Sequence, residues 1–358
     1  MNAAVAAQRL HNQFITRQTL RSAHDVVSWF GAVQAQEYAP AKWGLGLRMR
    51  GTSTDATVER AFNEGRILRT HVMRPTWHFV SPSDIRWMLE LTASNVHRRM
   101  STYNRQLGLD DALLAKGTAI LERALSDRQY LTRRELGRRL QQAGLGLDSM
   151  RLAHLAMYAE LERVICSGPR RGKQSTYALL AERAPKAPRL PRDEALAELG
   201  RRFFRSHGPA TIADFVWWSG LTTLDAKRSL EINKARHRQV DDRKYWTVGR
   251  STSATSLKGS AHLLPIYDEY LVAYRHRAVV SHGPAVVPSL SGGFVNFQHA
   301  AIIEGQVTGT WKTVQTKRGV SVELASLRRL MKREQHALEE AAARYERFLG
   351  MPVSLAFI

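Results

Sequence analysis

Two glutamines one residue apart, Gln34 and Gln36, lie in the stretch WFGAVQAQEYAPAKWGLGLR. Gly31 and an apolar run precede them; Pro40, Trp43, Gly44 and Gly46 follow. An amide takes up no proton at neutral pH, but its carbonyl accepts hydrogen bonds and its NH2 donates them. Such a pair can hold a water or a neighbouring polar group, and neither member can act as an acid or a base. Other candidates for chemistry are few. Asp268 and Glu269, in YDEY, are adjacent carboxylates of the kind used in acid–base mechanisms. In a strand-to-helix segment they face apart, with Arg275 or Arg277 within reach for ion pairing. The expectation for them is a structural network, with the catalytic role held in reserve should the glutamines prove dispensable. His71 and His78 lack a third ligand in sequence. Cys166 is the single cysteine, which excludes an internal disulfide and any cysteine cluster for zinc. Neither a metal nor a cofactor is expected.

Whether the two amides meet depends on the backbone beneath them. Residues two apart diverge by about 200° on a helix and share one face in an extended segment. Gly31 and Pro40 favour leaving the helix nearby, so Gln34 and Gln36 converge only if 33–37 is irregular or extended. By itself a Gln-x-Gln carries almost no information. Glutamines that cap helix ends or bridge a loop to neighbouring backbone look the same in sequence.

The elements that would position these residues follow a repeated plan: a capped helix, a second helix, then a short basic hairpin. In SHGPATIADFVWWSGLTTLDAKRSLEINKARHRQVDDRKYWTVG, Thr211 and Asp214 form a capping-box-like start and Gly220 ends the helix. Thr222 or Thr223 then caps LDAKRSLEIN, and RQVDDRKYWTVG reads as strand, Asp-Asp turn, strand. Another copy starts from a Thr132–Glu135 capping box, continues through a helix over 149–163, and ends in the hairpin ICSGPRRGKQSTYAL. The first copy is looser, with a helix over 17–30, a second in TDATVERAFNEG, and a hairpin in ILRTHVMRPTWHFV turning near Arg74 and Pro75. The glutamine stretch is an insertion between its two helices, and long insertions in compact units are more often functional than not. From about residue 260 the pattern alternates as strands do, and the end is one amphipathic helix with Leu327, Leu330, Met331, Leu338, Ala341, Ala342, Tyr345 and Phe348 facing inward. The fold class expected is α+β, mainly α: three tandem winged-helix motifs, a β-rich, barrel-like domain and a terminal helix. The boundaries expected are 1–110, 111–190, 191–258 and 259–358.

A length of 358 residues suits two or three domains, and 44% apolar with 24% charged residues is ordinary for a globular chain. The balance of charge is not ordinary. Lys and Arg number 53 against 32 Asp and Glu, a net +21, which points to a polyanionic partner, nucleic acid first. No run of 18 apolar residues is present, and Gln8 and Arg9 interrupt the start before a signal-peptide core forms. A cytoplasmic protein without membrane attachment, and a monomer, is expected.

Five phrases taken together carry a resemblance: VQAQEYAPAKWGL, LRTHVMRPTWHFVSPSD, HGPATIADFVWWSGL, LLPIYDEYLVAYRHR and GQVTGTWK. Over about residues 10–350 the chain resembles the winged-helix DNA glycosylase superfamily that includes the AlkZ-like and YcaQ-like branches. Gln34-Ala35-Gln36 looks like the Gln-x-Gln of the AlkZ-like branch, the other having Gln-x-Asp. The resemblance implies excision of alkylated purines from double-stranded DNA and unhooking of interstrand crosslinks, with Gln34 and Gln36 catalytic.

The chemistry is consistent with two amides. Hydrolysing an N-glycosidic bond develops positive charge on the sugar. A purine alkylated at N7 or N3 is already cationic and leaves without protonation. What remains is to position a water and to meet the developing charge with fixed dipoles. DNA contacts are expected from Lys42, Trp43, Arg69, His71, Arg74, Thr76 and His78 around the insertion. Arg170, Arg171 and Lys173 at one hairpin tip, and Lys312, Lys317 and Arg318 at another, complete the set. Trp77 is read as a core residue or a base-stacking one. The alternative class is a winged-helix regulator or architectural protein that reads duplex DNA without hydrolysis.

Overall fold

Side-chain caps decide where most helices of this chain begin. The computed structural model describes residues 2–51, 53–249, 256–280, 290–291, 294–295 and 297–358. Helix α1 (Asn2–Asn12) leads to α2 (Ala23–Phe30), which a Ser22–Asp25 capping box starts and Gly31, at φ 87°, stops. The helix expected from residue 17 therefore begins only at Ala23, because Ser22 and Asp25 satisfy each other's backbone donors there. The chain then extends as β1 (Ala32–Gln34), turns into α3 (Tyr38–Gly46), and enters α4 (Asp55–Asn63) from the N-cap Thr54. Strands β2 (Leu68–His71) and β3 (Trp77–Val80) form the expected hairpin, and β1 pairs with the free side of β3. The insertion is thus a third strand plus a helix, with Gln34 directly opposite His78.

Helix α5 (Ile85–Gln106), 22 residues long, has no counterpart among the elements expected from the sequence pattern. It leads to α6 (Asp111–Leu125), β4 (Leu131–Thr132), α7 (Arg133–Gln142) and α8 (Ser149–Leu161). Then come β5 (Ile165–Ser167), β6 (Thr176–Leu179) and the single turn α9 (Leu180–Arg183), the strands pairing in the order β4-β6-β5. The Thr132–Glu135 capping box opens α7, and α8 stops at Leu161. Helices α10 (Arg192–Ser206), α11 (Ile212–Ser219) and α12 (Thr223–Ile232) come next, then a hairpin of β7 (Arg236–Val240) and β8 (Arg243–Thr247). Thr211–Asp214 starts α11, and Thr222, paired with Asp225, is the cap of α12.

The remaining elements are β9 (Ala261–Leu264), α13 (Glu269–Val272), β10 (Leu290–Ser291), β11 (Phe294–Val295) and β12 (Ala300–Ile303). They continue with β13 (Gln306–Thr316), β14 (Gly319–Ser326), α14 (Lys332–Leu349) and β15 (Val353–Phe357). Five strands make one sheet in the order β15-β14-β13-β12-β9, with β14–β15 its one parallel pair. Among the described residues no pairing joins β15 to β9, so the sheet is open where a barrel-like domain was expected. Its inner face is covered by a helix. Leu338, Ala341, Ala342 and Phe348 of α14 share a buried cluster with Leu263, Leu264, Trp311, Val322 and Leu324 of the strands. The helix begins at Lys332, so Leu327 and Met331, expected to face inward, precede it and are 49% and 47% exposed.

The buried apolar residues link distant parts of the chain. Val5, Phe30 and Trp43 pack in the same cluster as the C-terminal sheet and α14, and β2–β3 share another with α5, α10, α11 and α12. Helices α6, α7 and α8 form a third cluster of their own with β5 and β6. A close approach of two backbones holds the β2–β3 turn against α11. Gly220, the C-cap of α11 at φ 70°, stands so near this turn that a Cβ would lie 2.2 Å from the carbonyl oxygen of Met73. An alanine there meets both a left-handed backbone and a backbone clash. We expect Gly220→Ala to destabilise the chain by about 2 kcal/mol or more, read as a lower urea midpoint.

Candidate active site

The sheet β1-β3-β2 places the two glutamines in different surroundings. Gln34 closes β1 and is 6% exposed; its backbone N–H donates to Glu269 Oε1 at 2.7 Å. Its side-chain oxygen accepts from Arg74 Nη2 at 2.7 Å. The ladder continues for one more bond, Ala35 N–H to the Trp77 carbonyl at 2.7 Å. Gln36 then leaves the ladder and turns its side chain back. Its Oε1 accepts from the Trp77 N–H at 3.2 Å, and its carbonyl from Arg69 Nη2 at 3.2 Å. The backbone is extended through Gln34 as convergence requires, but the amides share no partner. Gln36 lines a cleft and Gln34 is one layer beneath.

That cleft has a volume of about 610 Å³. Tyr38, Phe62, Arg69, Trp77 and Tyr177 form its floor, and Arg133, Arg134 and Arg138 of α7 its rim with residues 174–176. Arg69 lies 4.1 Å from the Trp77 ring centre, and Arg170 4.5 Å from that of Tyr38, so cations cover the aromatic faces. Burial pulls the Arg69 pKa down to about 10, which leaves it charged at neutral pH. Beneath Trp77, His71 packs at 4.6 Å and gives its Nδ1 to Glu160, whose carboxylate also accepts the His71 backbone N–H at 3.1 Å.

The other residues expected at the site divide between interior and surface. Arg74 is buried and holds Gln34; burial first, against the opposing pull of Glu269, brings its pKa to about 10. His78 is wholly buried, its Nδ1 2.9 Å from the Thr76 carbonyl and its Nε2 3.5 Å from Arg74. Burial and then Arg74 push its pKa well below 6.5, so it is a neutral ring that donates from Nδ1. Thr76 is half-buried. Lys42 is buried between Asp55 at 2.8 Å and Glu59 at 2.7 Å, and Trp43 is a core residue donating to the Leu263 carbonyl at 2.8 Å; neither reaches the cleft. Arg170 and Arg171 belong to the hairpin beside the cleft, Arg171 pairing with Glu135 at 2.8 Å, and Lys173 is exposed at its tip. Lys312 pairs with Glu323 at 3.0 Å, and Lys317 and Arg318 are exposed at the β13–β14 turn, outside the cleft lining. Sequence reasoning missed Arg133, Arg134 and Arg138. TRRELGRR carries the capping box that starts its helix, and its arginine density is a second signal visible in the same residues.

Asp268 and Glu269 face apart as expected, into structural networks, but with partners other than those foreseen. Arg48 grips Asp268 through two hydrogen bonds of 2.8 Å and also donates to the Gly44 carbonyl at 2.7 Å and Gln13 at 3.1 Å. Arg275 instead offers its backbone N–H to Asp214, and Arg277 donates to the Leu271 carbonyl. The reason is spatial: α3 runs past α13 and delivers Arg48 from a distant part of the chain. Glu269 takes three donors, the Gln34 N–H at 2.7 Å, Trp218 Nε1 at 3.0 Å and His207 Nε2 at 3.1 Å. Neither carboxylate lines the cleft.

Burial alone would raise the Glu269 pKa, but its hydrogen bond to His207, the Gln34 N–H and Arg74 bring it below 4.5. A carboxyl lowered in the folded state contributes stability that is fully present above its unfolded value and lost as pH falls through the folded one. Stability measured against pH should therefore decline through this group below about pH 4.5. Glu269→Gln should remove that part of the decline and cost about 1–3 kcal/mol at neutral pH, because one buried donor loses its acceptor. Urea titrations of both proteins across pH 3–7 (roughly the range in which a carboxylate titrates) check it.

Among the described residues no group of three or more His, Cys, Asp or Glu is placed to hold a metal ion, and no helix is long and apolar enough to cross a membrane. A solved structure, the DNA glycosylase AlkZ of Streptomyces sahachiroi, has the same fold: TM-score 0.82 over 99% of both chains, at 23% identity. An interstrand DNA cross-link repair glycosylase of the same organism is 26% identical over 330 residues, 87% of each chain. The family profile described as DNA glycosylase AlkZ-like matches residues 27–348. A match across nearly the whole chain, laid over a cationic cleft lined by Gln36 of the Gln-x-Gln, means that this protein belongs to the AlkZ-like DNA glycosylase family.

Proposed function

We propose that this chain hydrolyses the N-glycosidic bond of cationic N7- or N3-alkylated purines in duplex DNA. Its range includes bulky adducts and interstrand crosslinks, and it works as a monomer without metal or cofactor. The observation that carries this reading is Gln36. Its amide sits in an arginine-rimmed cleft, fixed by the Trp77 N–H, while Arg69 holds the main-chain carbonyl of the same residue. One lone pair of Oε1 is taken by Trp77, which leaves the other for a water and the NH2 for an oxygen of the sugar. Gln34 acts from below. It carries no contact to the cleft, and it ties the end of β1 to Arg74 and Glu269 so that Gln36 emerges at a fixed angle.

A cationic purine suits such a site. It departs as a neutral base, so the cleft needs no proton donor for the leaving group, only a held water and dipoles aimed at the sugar. The relative's printed name, which concerns interstrand crosslinks, supports bulky substrates. We read α2 and α4 with β2–β3, α7 and α8 with β5–β6, and α11 and α12 with β7–β8 as three winged helices. The basic α7 and the neighbouring hairpin then track the phosphate backbone.

Incubation with duplexes carrying N7-methylguanine or a nitrogen-mustard crosslink should yield abasic strands, in the presence of EDTA as in its absence. Gln36→Ala should slow single-turnover excision by about 10²-fold or more while DNA affinity stays within about twofold. Protein that binds these duplexes and releases no base would instead be a regulator or an architectural protein. Arg134→Ala and Arg138→Ala should weaken binding regardless of sequence. Each should reduce the slope of log K against log salt by about one, as measured by fluorescence anisotropy.

A further inference from the structure

Among the described residues three carboxylates line the cleft: Glu37, Glu135 and Glu160. Glu135 is engaged in the α7 capping box and with Arg171 at 2.8 Å; the Thr132 backbone N–H, Arg171 and the Thr132 hydroxyl hold its pKa at about 2. Glu160 is buried and bound to His71. Glu37 differs. It is exposed, directly follows Gln36 and occupies the N-cap position of α3, yet its side chain makes no capping bond. Among the described residues its carboxylate has no hydrogen bond and no ion pair, although Arg69 is close enough to donate to the carbonyls of Ala35 and Gln36 just before it. Tyr267, before α13, also senses it: burial first and the Glu37 charge second raise the pKa of that phenol.

A free carboxylate is a poor choice for a cleft that binds a polyanion. It repels phosphate, and what it gives a cationic substrate depends on where the charge sits. Placed nearer the sugar than the ring, it gains as the positive charge moves from the purine to C1′, and interactions stronger in the transition state than in the ground state are the ones that accelerate a reaction. The two amides leave such a role open. A cationic purine needs no acid, but the attacking water must still lose a proton, and glutamine cannot take it.

We propose that Glu37 is the catalytic base and charge partner of this glycosylase, deepening the reading of Gln36 as the residue that holds the water. As the C1′–N bond breaks, its electron pair passes to the purine and neutralises the ring. The carboxylate faces the sugar while it is cationic. The oxygen of the water held by Gln36 bonds to C1′, and one of its protons passes to the Glu37 carboxylate. The products are a neutral purine, an abasic sugar and a protonated Glu37, which returns its proton to solvent.

The experiment compares wild type, Glu37→Gln and Glu37→Ala under single turnover on an N7-methylguanine duplex, with affinity measured separately. Glu37→Gln should lose about 10²-fold or more in rate, with affinity unchanged or tighter. Sodium formate, compared at matched ionic strength with sodium chloride, should restore part of the Glu37→Ala rate. Wild-type excision together with an equal rate for Glu37→Gln overturns the role, as does a rate loss matched by lost affinity or a formate-independent Glu37→Ala. Wild type that releases no base overturns the glycosylase reading itself, a result separate from any behaviour of the variants.

Discussion

The Glu269 carboxylate is the constraint on which the site depends. A buried charge without partners costs several kcal/mol, so its position is tolerable only where donors converge on it. Here they come from three separate parts of the chain: the end of β1, the C-cap of α10 and the indole of α11. Each donor is fixed by its own element. Trp218 and His207 pack with Phe203 in one aromatic cluster, and His207 stacks on Phe203 at 4.7 Å. With Arg48 gripping the adjacent Asp268, the short helix α13 is anchored from both sides. Shifting any member would move the backbone of Gln34, and Gln36 with it.

From that anchor the two amides acquire unequal roles. Gln34 is held by its backbone to Glu269 and by its side chain to Arg74, which in turn lies beside the neutral ring of His78. This is a rigid polar layer, closed to solvent. Gln36 is one step further along, where the ladder ends and the chain turns into α3, and its side chain is fixed by one main-chain N–H. A site of this kind is built from the floor upward. The buried residues supply orientation, and the cleft supplies a polar surface with spare hydrogen-bonding capacity.

The electrostatics of the cleft complement that geometry. Arginines stacked on Trp77 and Tyr38, and those of α7, set a cationic field suited to phosphate. The same field would disfavour a substrate that is already positive, and on the proposed reading the carboxylate and amide dipoles offset it at the sugar. Glu160 and Glu135 are paired, whereas among the described residues the Glu37 carboxylate has no hydrogen bond and no ion pair.

The fold was largely legible from local rules. Capping boxes at Thr132, Thr211 and Thr222, the hairpin around Arg74 and the Asp241–Asp242 turn are set by short-range chemistry, and they appear where the residues required them. Ser22 and Asp25 are an equally local signal, and they set the start of α2 later than apolar spacing alone suggests. Other features lie beyond local rules. Lys42 and Trp43 look like surface residues for DNA in sequence, and only the packing of α3 against α4, β9 and α14 makes one an internal ion pair and the other core. Arg48 reaches Asp268 across 220 positions of chain and Glu269 reaches Gln34 across 235, a proximity that no periodicity encodes. The open sheet has the same origin, since strand alternation is identical whether the inner face meets other strands or a helix. Sequence by itself determined the capped helices and hairpins, the positive charge and the Gln-x-Gln; tertiary structure decided which charges are free, because burial and long-range pairing are properties of three dimensions.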